Sequence, residues 1–513
     1  MIITRLEIHK ITRPIFLKKA VIIGSGFAGL SAAAFMAKAG WDVCVLEKQD
    51  IPGGRARQFK EAGFTFDMGP SWYWMPEVFE RFFNCFDKKV SDYYELERLD
   101  PSYRIYWQDE VMNIPAHYQD VKDLFEKTEA GSGKMLDRFM EEAAYKYEVG
   151  MNYLVHKPGR SVWEFADWKL LKGIFKLDVF NSVKSHIAKY FRNEKLRQLL
   201  EFPVLFLGAL PKDTPALYSL MNYADIKLGT WYPQGGMYKI VEAMTQLAKE
   251  SGVKFYFKND VIKIEVENKV AKRVIAIDHN QQTVIQNSFD ADVVIGAADY
   301  HFIEQKLLSA KYRTYSEKYW DTRVMAPGCL LYYIGLNKKI RNLVHHSLFF
   351  DVNFDIHGEQ IYSDPQWPAE PLFYVSATSV TDNTVMPAGC ENLFFLIPVA
   401  AGLTGDTDEL RDKYFEKILK RFESKIGQSI SESIIYKKSY SGRDFINDYN
   451  SFKGNAYGLA NTLGQTAVLK PGIKSKKVKN LFYTGQLTVP GPGVPPSLIS
   501  GEVVAKEVLK QFG

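Results

Sequence analysis

The sequence predicts an α/β fold of more than one lobe. Three observations carry that expectation: a strand–turn–helix–strand succession over 20–47, a strand-rich tract over 253–296, and short alternating apolar and polar runs over 325–400. The chain of 513 residues is also too long for one compact core.

Taken in order, Ala-Val-Ile-Ile-Gly at 20–24 is an apolar run with the character of a buried parallel strand. A helical stretch over 30–39 stops at Gly40, and 41–46 forms a second strand ending at Glu47. Residues 120–200 read as mainly helical. Strands are expected at 253–257, 261–267, 274–278 and 292–295, and the alternation over 325–400 predicts a second sheet. A late strand at 481–484 leads through a Gly/Pro-rich turn into a final helix from about Pro496. No internal repeat or low-complexity segment stands out.

Composition narrows the function classes. Hydrophobic residues at 46% and charged residues at 24% are ordinary for a folded chain, whereas an aromatic share of 14% is high. Those rings either fill a large core or line an apolar channel. The net charge of +5, from 65 basic and 60 acidic residues without a long Lys/Arg run, gives no nucleic-acid footprint. Cys44, Cys85, Cys329 and Cys390 are scattered with no CxxC pair, which argues against a disulfide framework or zinc site. That usage suits a reducing cytoplasm. No stretch of 18 apolar residues exists to span a bilayer. The first 19 residues lack a secretory pattern and read as a leader or a misassigned start.

Gly24-Ser25-Gly26-Phe27-Ala28-Gly29 matches GxGxxG between a strand and a helix. The first Gly serves the tight turn, the second lets backbone approach a pyrophosphate, and the third packs helix on strand. The helix N-terminus then faces the anion. Glu47, ending the next strand, can accept from a ribose hydroxyl, and it disfavours a 2′-phosphorylated cofactor. Alone the glycines would be a weak signal; the terminal acid makes the set specific. Pro52-Gly53-Gly54-Arg55-Ala56-Arg57 follows closely, offering bare backbone and a guanidinium fork to phosphate or flavin oxygens.

The succession GSGFAGL, LEKQDIPGGRARQF and GFTFDMGPSWYWMP resembles the FAD-dependent amine oxidase superfamily, and within it the bacterial-type phytoene desaturases of the carotenoid desaturase branch. The segment 63–71, ending Gly69-Pro70-Ser71, looks like the one that passes under the isoalloxazine ring in that group. Further matches are Tyr232-Pro233-Gln234-Gly235-Gly236-Met237 and the run 291–299. The resemblance implies FAD held by Gly24, Gly26, Phe27, Ala28, Gly29, Glu47, Lys48, Gly53, Gly54, Arg55, Gly69, Pro70 and Ser71. It adds Val261, as a backbone contact to adenine, and a closing motif of Gly485, Gln486, Gly493, Val494 and Pro495. Gln486 stands where many related oxidases carry an acid, which leaves its role open.

The implied fold is a Rossmann-type FAD-binding domain with a mixed-sheet substrate domain and a helical subdomain of candidate membrane contact. The FAD-binding parts fall at 20–100, 236–300 and 441–513, the helical region at 101–235, and the substrate sheet at 301–440. The implied reaction is desaturation of a long apolar polyene, phytoene towards lycopene. Hydride passes to FAD, and a quinone or oxygen serves as final acceptor. Alternatives within reach of the same motifs are a carotenoid cis-trans isomerase, a hydroxycarotenoid or diapocarotenoid desaturase, an amine or porphyrinogen oxidase, and a non-catalytic prenyl-chaperone-like binder.

A polyene of this size must be drawn from a membrane, because each buried CH₂ is worth about 0.8 kcal/mol against entering water. The expected location is therefore cytoplasmic and peripherally membrane-associated. The candidate contact is 160–210, where Trp163, Phe165, Trp168, Leu171, Ile174, Phe175 and Phe180 intermix with Lys169, Lys172, Lys176, Lys184 and Lys189. A core-packed helical unit with a solvated lysine face is the alternative. Phe202, Leu205, Phe206 and Trp231 are candidate channel residues. His345-His346, the one tight histidine pair, reads as solvated, so no catalytic base and no metal site are assigned.

Overall fold

The computed structural model describes residues 17–165, 177–178, 180–205, 208–280 and 285–513. Its first sheet is parallel and five-stranded, in the order Leu481–Tyr483, Val293–Gly296, Lys19–Ile23, Asp42–Leu46, Lys254–Tyr256. The central strand is buried from Ala20 to Ile23, which is why its sequence is a continuous apolar run with no alternation. The first helix, Phe27–Lys38, begins three residues earlier than its apolar pattern suggests, because Phe27, Ala28 and Gly29 form its first turn.

That helix is almost wholly buried and rich in Ala, Gly and Ser, so neighbouring helices approach it closely. The C-terminal helix Val494–Phe512 and the helix Tyr238–Glu250 both pack on it. At the first of these contacts Gly501 lies against the Ala28–Ala32 backbone, where no side chain fits. The two ends of the chain are thereby joined in one lobe.

A second sheet of seven strands has the order Ile434–Tyr440, Gly328–Leu336, Glu391–Val399, Phe373–Ser376, His346–Phe349, Tyr103–Tyr106, Val111–Ile114. It is mixed, with a parallel step between His346–Phe349 and Tyr103–Tyr106. One face, including Leu330, Tyr332, Phe373, Val375, Phe395 and Ile397, packs on the helix Asp408–Ile426. The other face, with Cys329, Leu331, Tyr333, Tyr374 and Phe394, joins the main core. Both faces being covered explains why all nine residues of Gly328–Leu336 are buried.

The hairpin over 103–114, which sequence reading placed in the helical region, is part of this sheet: Tyr103, Ile105 and Tyr106 are buried against it. A three-stranded antiparallel sheet, Asn259–Glu267, Val270–Asp278 and Ile285–Asp290, covers the first sheet. Its last strand escaped the sequence pattern because it is an exposed edge built from Gln, Asn, Ser and Asp. The helical region contains Tyr118–Thr128, Ser132–Val149, Val183–Ala188 and Glu194–Leu205. No helix among the described residues is long and apolar enough to cross a membrane.

Candidate functional site

A deep cleft opens where the two ends of the chain meet, with about 360 Å³ accessible to the centre of a water molecule. Every sequence-predicted nucleotide residue lines it except Gly29. Gly29 sits one layer behind, where a Cβ would overlap the Gly24 carbonyl oxygen, so its part is to let helix and turn touch. The N-caps of two helices, Gly26 and Gly493, both face the cleft. The first offers the free N–H groups of Phe27, Ala28 and Gly29, whereas the second offers only that of Val494, since Pro495 and Pro496 carry no N–H and Ser497 N donates to the Gly493 carbonyl.

Glu47 is buried at the end of its strand. Its Oε2 accepts from Ser25 N at 2.8 Å and Ser25 Oγ at 2.6 Å, and its Oε1 accepts from Gln49 N at 2.9 Å. The carboxylate is fixed by the glycine turn itself and keeps lone pairs for a further donor. Asn259 N donates to the Glu47 carbonyl at 2.8 Å, bringing Asp260 and Val261 to the same end of the cleft. Lys48 lines this end, with its ammonium donating to the Asn447 carbonyl at 2.7 Å.

Arg55 stands midway. One guanidinium nitrogen donates to Ser451 Oγ at 2.9 Å and the Asn455 carbonyl at 3.3 Å, while Nε is buried without a partner. Burial holds its pKa below the ordinary arginine value. With its amide oxygen turned to Arg55, Gln486 accepts from both terminal nitrogens, at 2.9 and 3.2 Å. The residue that replaces an acid is thus a neutral partner of the buried guanidinium. Gly69 crosses beneath: a Cβ there would sit 2.5 Å from the Arg55 carbonyl oxygen.

Beyond Pro70 and Ser71 the cleft changes character. Trp72, Trp74, Met221, Leu331, Tyr374 and Leu396 line it. The charged lining residues are Glu47, Lys48, Arg55, Asp260, Asp299 and Asp448, all grouped around the 47–57 segment. Sequence reading missed the apolar lining, since its members come from strands and helices hundreds of residues apart.

Three further calls are corrected or relocated. Phe202 is buried behind Trp72 and Trp74, with ring centroids at 6.1 and 6.4 Å, and does not line the cleft. Leu205 and Trp231 are also outside its lining, the Trp231 indole donating to the Leu228 carbonyl at 3.0 Å; Phe206 lies outside the described residues. His345 and His346 are buried, contrary to the solvated reading, because His346 begins a strand covered on both faces. Burial lowers the His345 pKa to about 3 and holds His346 well below its usual value. Of the candidate membrane residues, Trp163 and Phe180 are exposed, at 80% and 85%. Trp168, Lys169, Leu171, Lys172, Ile174, Phe175 and Lys176 lie outside the described residues. No metal-ligand cluster occurs among the described residues.

Comparison with known proteins adds four findings. The family model described as flavin containing amine oxidoreductase matches residues 27–509. A carotenoid 3,4-desaturase of Haloarcula japonica is 38% identical over 493 residues, covering 96% of this chain and 98% of that protein. A zeta-carotene-forming phytoene desaturase of Myxococcus xanthus is 29% identical over 500 residues, covering 96% and 94%. Among solved structures, an oxidoreductase from Methanosarcina mazei aligns with a TM-score of 0.61 at 16% identity, covering 95% of this chain and all of that one. That last likeness concerns the fold.

Proposed function

The chain belongs to the flavin containing amine oxidoreductase family, among its carotenoid desaturases, and from that premise we propose that it removes hydrogen from a long polyene using FAD. The observation that carries this reading is the two-part cleft: a glycine-lined half suited to an anion, continuous with an apolar half that has no charged residue among its described lining. An amine or porphyrin substrate would need such an anchor to offset its desolvation.

The residues fit FAD. The N-terminus of the helix Phe27–Lys38, the Val494 N–H and the orphaned Arg55 Nε suit a pyrophosphate, Glu47 suits ribose hydroxyls, and Val261 backbone suits the adenine end. Gly69-Pro70-Ser71 would lie beneath the ring system, with Gly485, Gln486, Gly493, Val494 and Pro495 closing the site. When bound, the flavin supplies hydride acceptance at its ring nitrogen. The protein's own contribution is positional. Trp72, Trp74, Leu331 and Leu396 hold an apolar chain and exclude water, so the reacting carbons meet no competing nucleophile.

Substrate identity has two readings. Phytoene desaturation towards lycopene follows from the motif resemblance. Desaturation at the 3,4 position is favoured by the 38% identity with a protein of that name. Quinone or oxygen would reoxidise the flavin. The substrate would be taken from a bilayer, with exposed Trp163 and Phe180 as described contacts.

Expression in two hosts, one accumulating phytoene and one accumulating lycopene, tests the choice. New conjugation in the first supports the phytoene reading, and extension of lycopene alone supports the 3,4 reading. Geometric isomers without added conjugation would replace desaturation by isomerisation.

A further inference from the structure

The sheet face that roofs the cleft is apolar except at one place. His346, Tyr374 and Ser376 sit on adjacent strands, His346 directly opposite Ser376 across the ladder. His346 Nδ1 and the Tyr374 hydroxyl are 2.6 Å apart. The imidazole stacks on Trp72, with centroids at 4.2 Å and planes at 11°. Its Nε2 is buried without a partner, and Ser376 and Ser71 stand within hydrogen-bonding reach of the Tyr374 hydroxyl. Leaving buried polar atoms unpaired costs about 1–3 kcal/mol each, so water or a transferred proton is expected there.

A cavity that can supply it lies beyond. It is lined by Ser71, Ser376, Tyr232, Asp67 and neighbours, and about 20 Å³ is open to water centres, which is room for one molecule. Ser71 lines both this cavity and the main cleft.

We propose that Tyr374 and His346 form a proton exit, Tyr374 taking the proton the substrate loses and His346 passing it towards the small cavity lined by Ser376, its partner across the ladder. This rests on the desaturase reading. Converting a C–C single bond to a double bond removes two hydrogens. One leaves with its electron pair as hydride to the oxidised flavin. The other leaves as a proton, its C–H pair becoming the π bond. As Tyr374 oxygen gains that proton, its own passes to His346 Nδ1, and the resulting imidazolium releases the Nε2 proton to water. Burial keeps the resting imidazole neutral and disfavours its charged form, so a proton received at Nδ1 is passed on from Nε2 rather than held. A carbon next to a forming cation is strongly acidic, so a weak base suffices. Tyr374, on the cleft wall, is the candidate catalytic residue; His346, acting through it, is a positioning residue.

The test uses intact flavoprotein as wild type, Tyr374→Phe, His346→Ala and His346→Gln, with flavin content recorded for each. Anaerobic single-turnover bleaching by phytoene or lycopene liposomes should slow about 100-fold in Tyr374→Phe, with flavin content and half-saturating substrate unchanged. His346→Gln, which keeps a hydrogen bond to the phenol but cannot carry a proton, should be as slow as His346→Ala. In the resting protein, the ¹⁵N resonance of His346 Nδ1 should shift when Tyr374 becomes Phe. Wild-type rates in Tyr374→Phe, rescue by Gln, or an unmoved resonance would overturn the proposal even if the His346 variants fail to fold. Absence of bleaching in the wild type with both polyenes would instead refute the desaturase reading beneath it.

Discussion

Gly501→Ala puts one methyl group at the contact that joins the two ends of the chain. The added Cβ would lie 2.7 Å from Ser31 Cβ and 2.9 Å from Ala32 N, and would overlap the Ala28 carbonyl oxygen. Ordinary van der Waals contact begins at 3.4 Å; Ser31 Cβ alone would require a retreat of 0.7 Å, the difference between 3.4 and 2.7 Å, and the nearer Ala28 carbonyl oxygen requires more. Two effects compete. Ala is favoured over Gly inside a helix by about 0.5–1 kcal/mol, whereas overpacking against backbone costs about 1–3 kcal/mol. The clash wins by about 1–2 kcal/mol. Because the retreating helix carries Gly493, Val494 and Pro495, we expect the loss chiefly in flavin binding, about tenfold in Kd. The assay is FAD titration of the apoprotein, with Gly472→Ala as control, since a Cβ there meets nothing closer than 3.8 Å. A Gly501→Ala protein with wild-type FAD affinity would show that the helix contact does not set the cofactor site.

Glu47→Gln should weaken FAD about 10- to 100-fold by the same titration, because an amide cannot accept from Ser25 N, Ser25 Oγ and Gln49 N at once. Trp163→Ala and Phe180→Ala should each reduce flotation with anionic vesicles more than about tenfold if these rings enter the interface, at about 1.5–3 kcal/mol per ring; unchanged flotation would remove them from the contact. Burial raises the Asp225 carboxyl to about 7, while the unfolded chain releases that proton near 4. Between those values the native state holds more protons than the unfolded one, so this group makes stability fall as pH rises and level off above. Asp225→Asn removes that slope, so its Tm deficit should be largest near pH 4–5 and shrink towards pH 8, as thermal melts across pH would reveal.

The nucleotide half of the cleft was legible in advance because its requirements are local. Gly24, Gly26 and Glu47 belong to one strand–helix–strand unit, in which Glu47 accepts from Ser25 22 residues before it, and the succession of these residues is readable as a motif. Gln486 was located but not interpreted, since its partner Arg55 is more than 400 residues away. The strand over 285–290 lacked the apolar pattern of its neighbours, being a polar edge, and the hairpin over 103–114 joins a sheet whose other strands come more than 200 residues later.

The sequence by itself determined the α/β class, the glycine turn between strand and helix, the acid that ends the next strand and the closing glycine–proline segment. Only the tertiary structure decided which side chains make the apolar half of the cleft. Phe202 has the composition of a channel residue yet stands behind Trp72, while Leu331, Tyr374 and Leu396 reach the wall because alternate residues of a sheet covered on both faces point to opposite cores. The same layering buries His345 and His346, which a local reading left in solvent. Backbone conformation is dictated by near neighbours in sequence, but which face of a strand meets a cavity is set by the elements packed on either side.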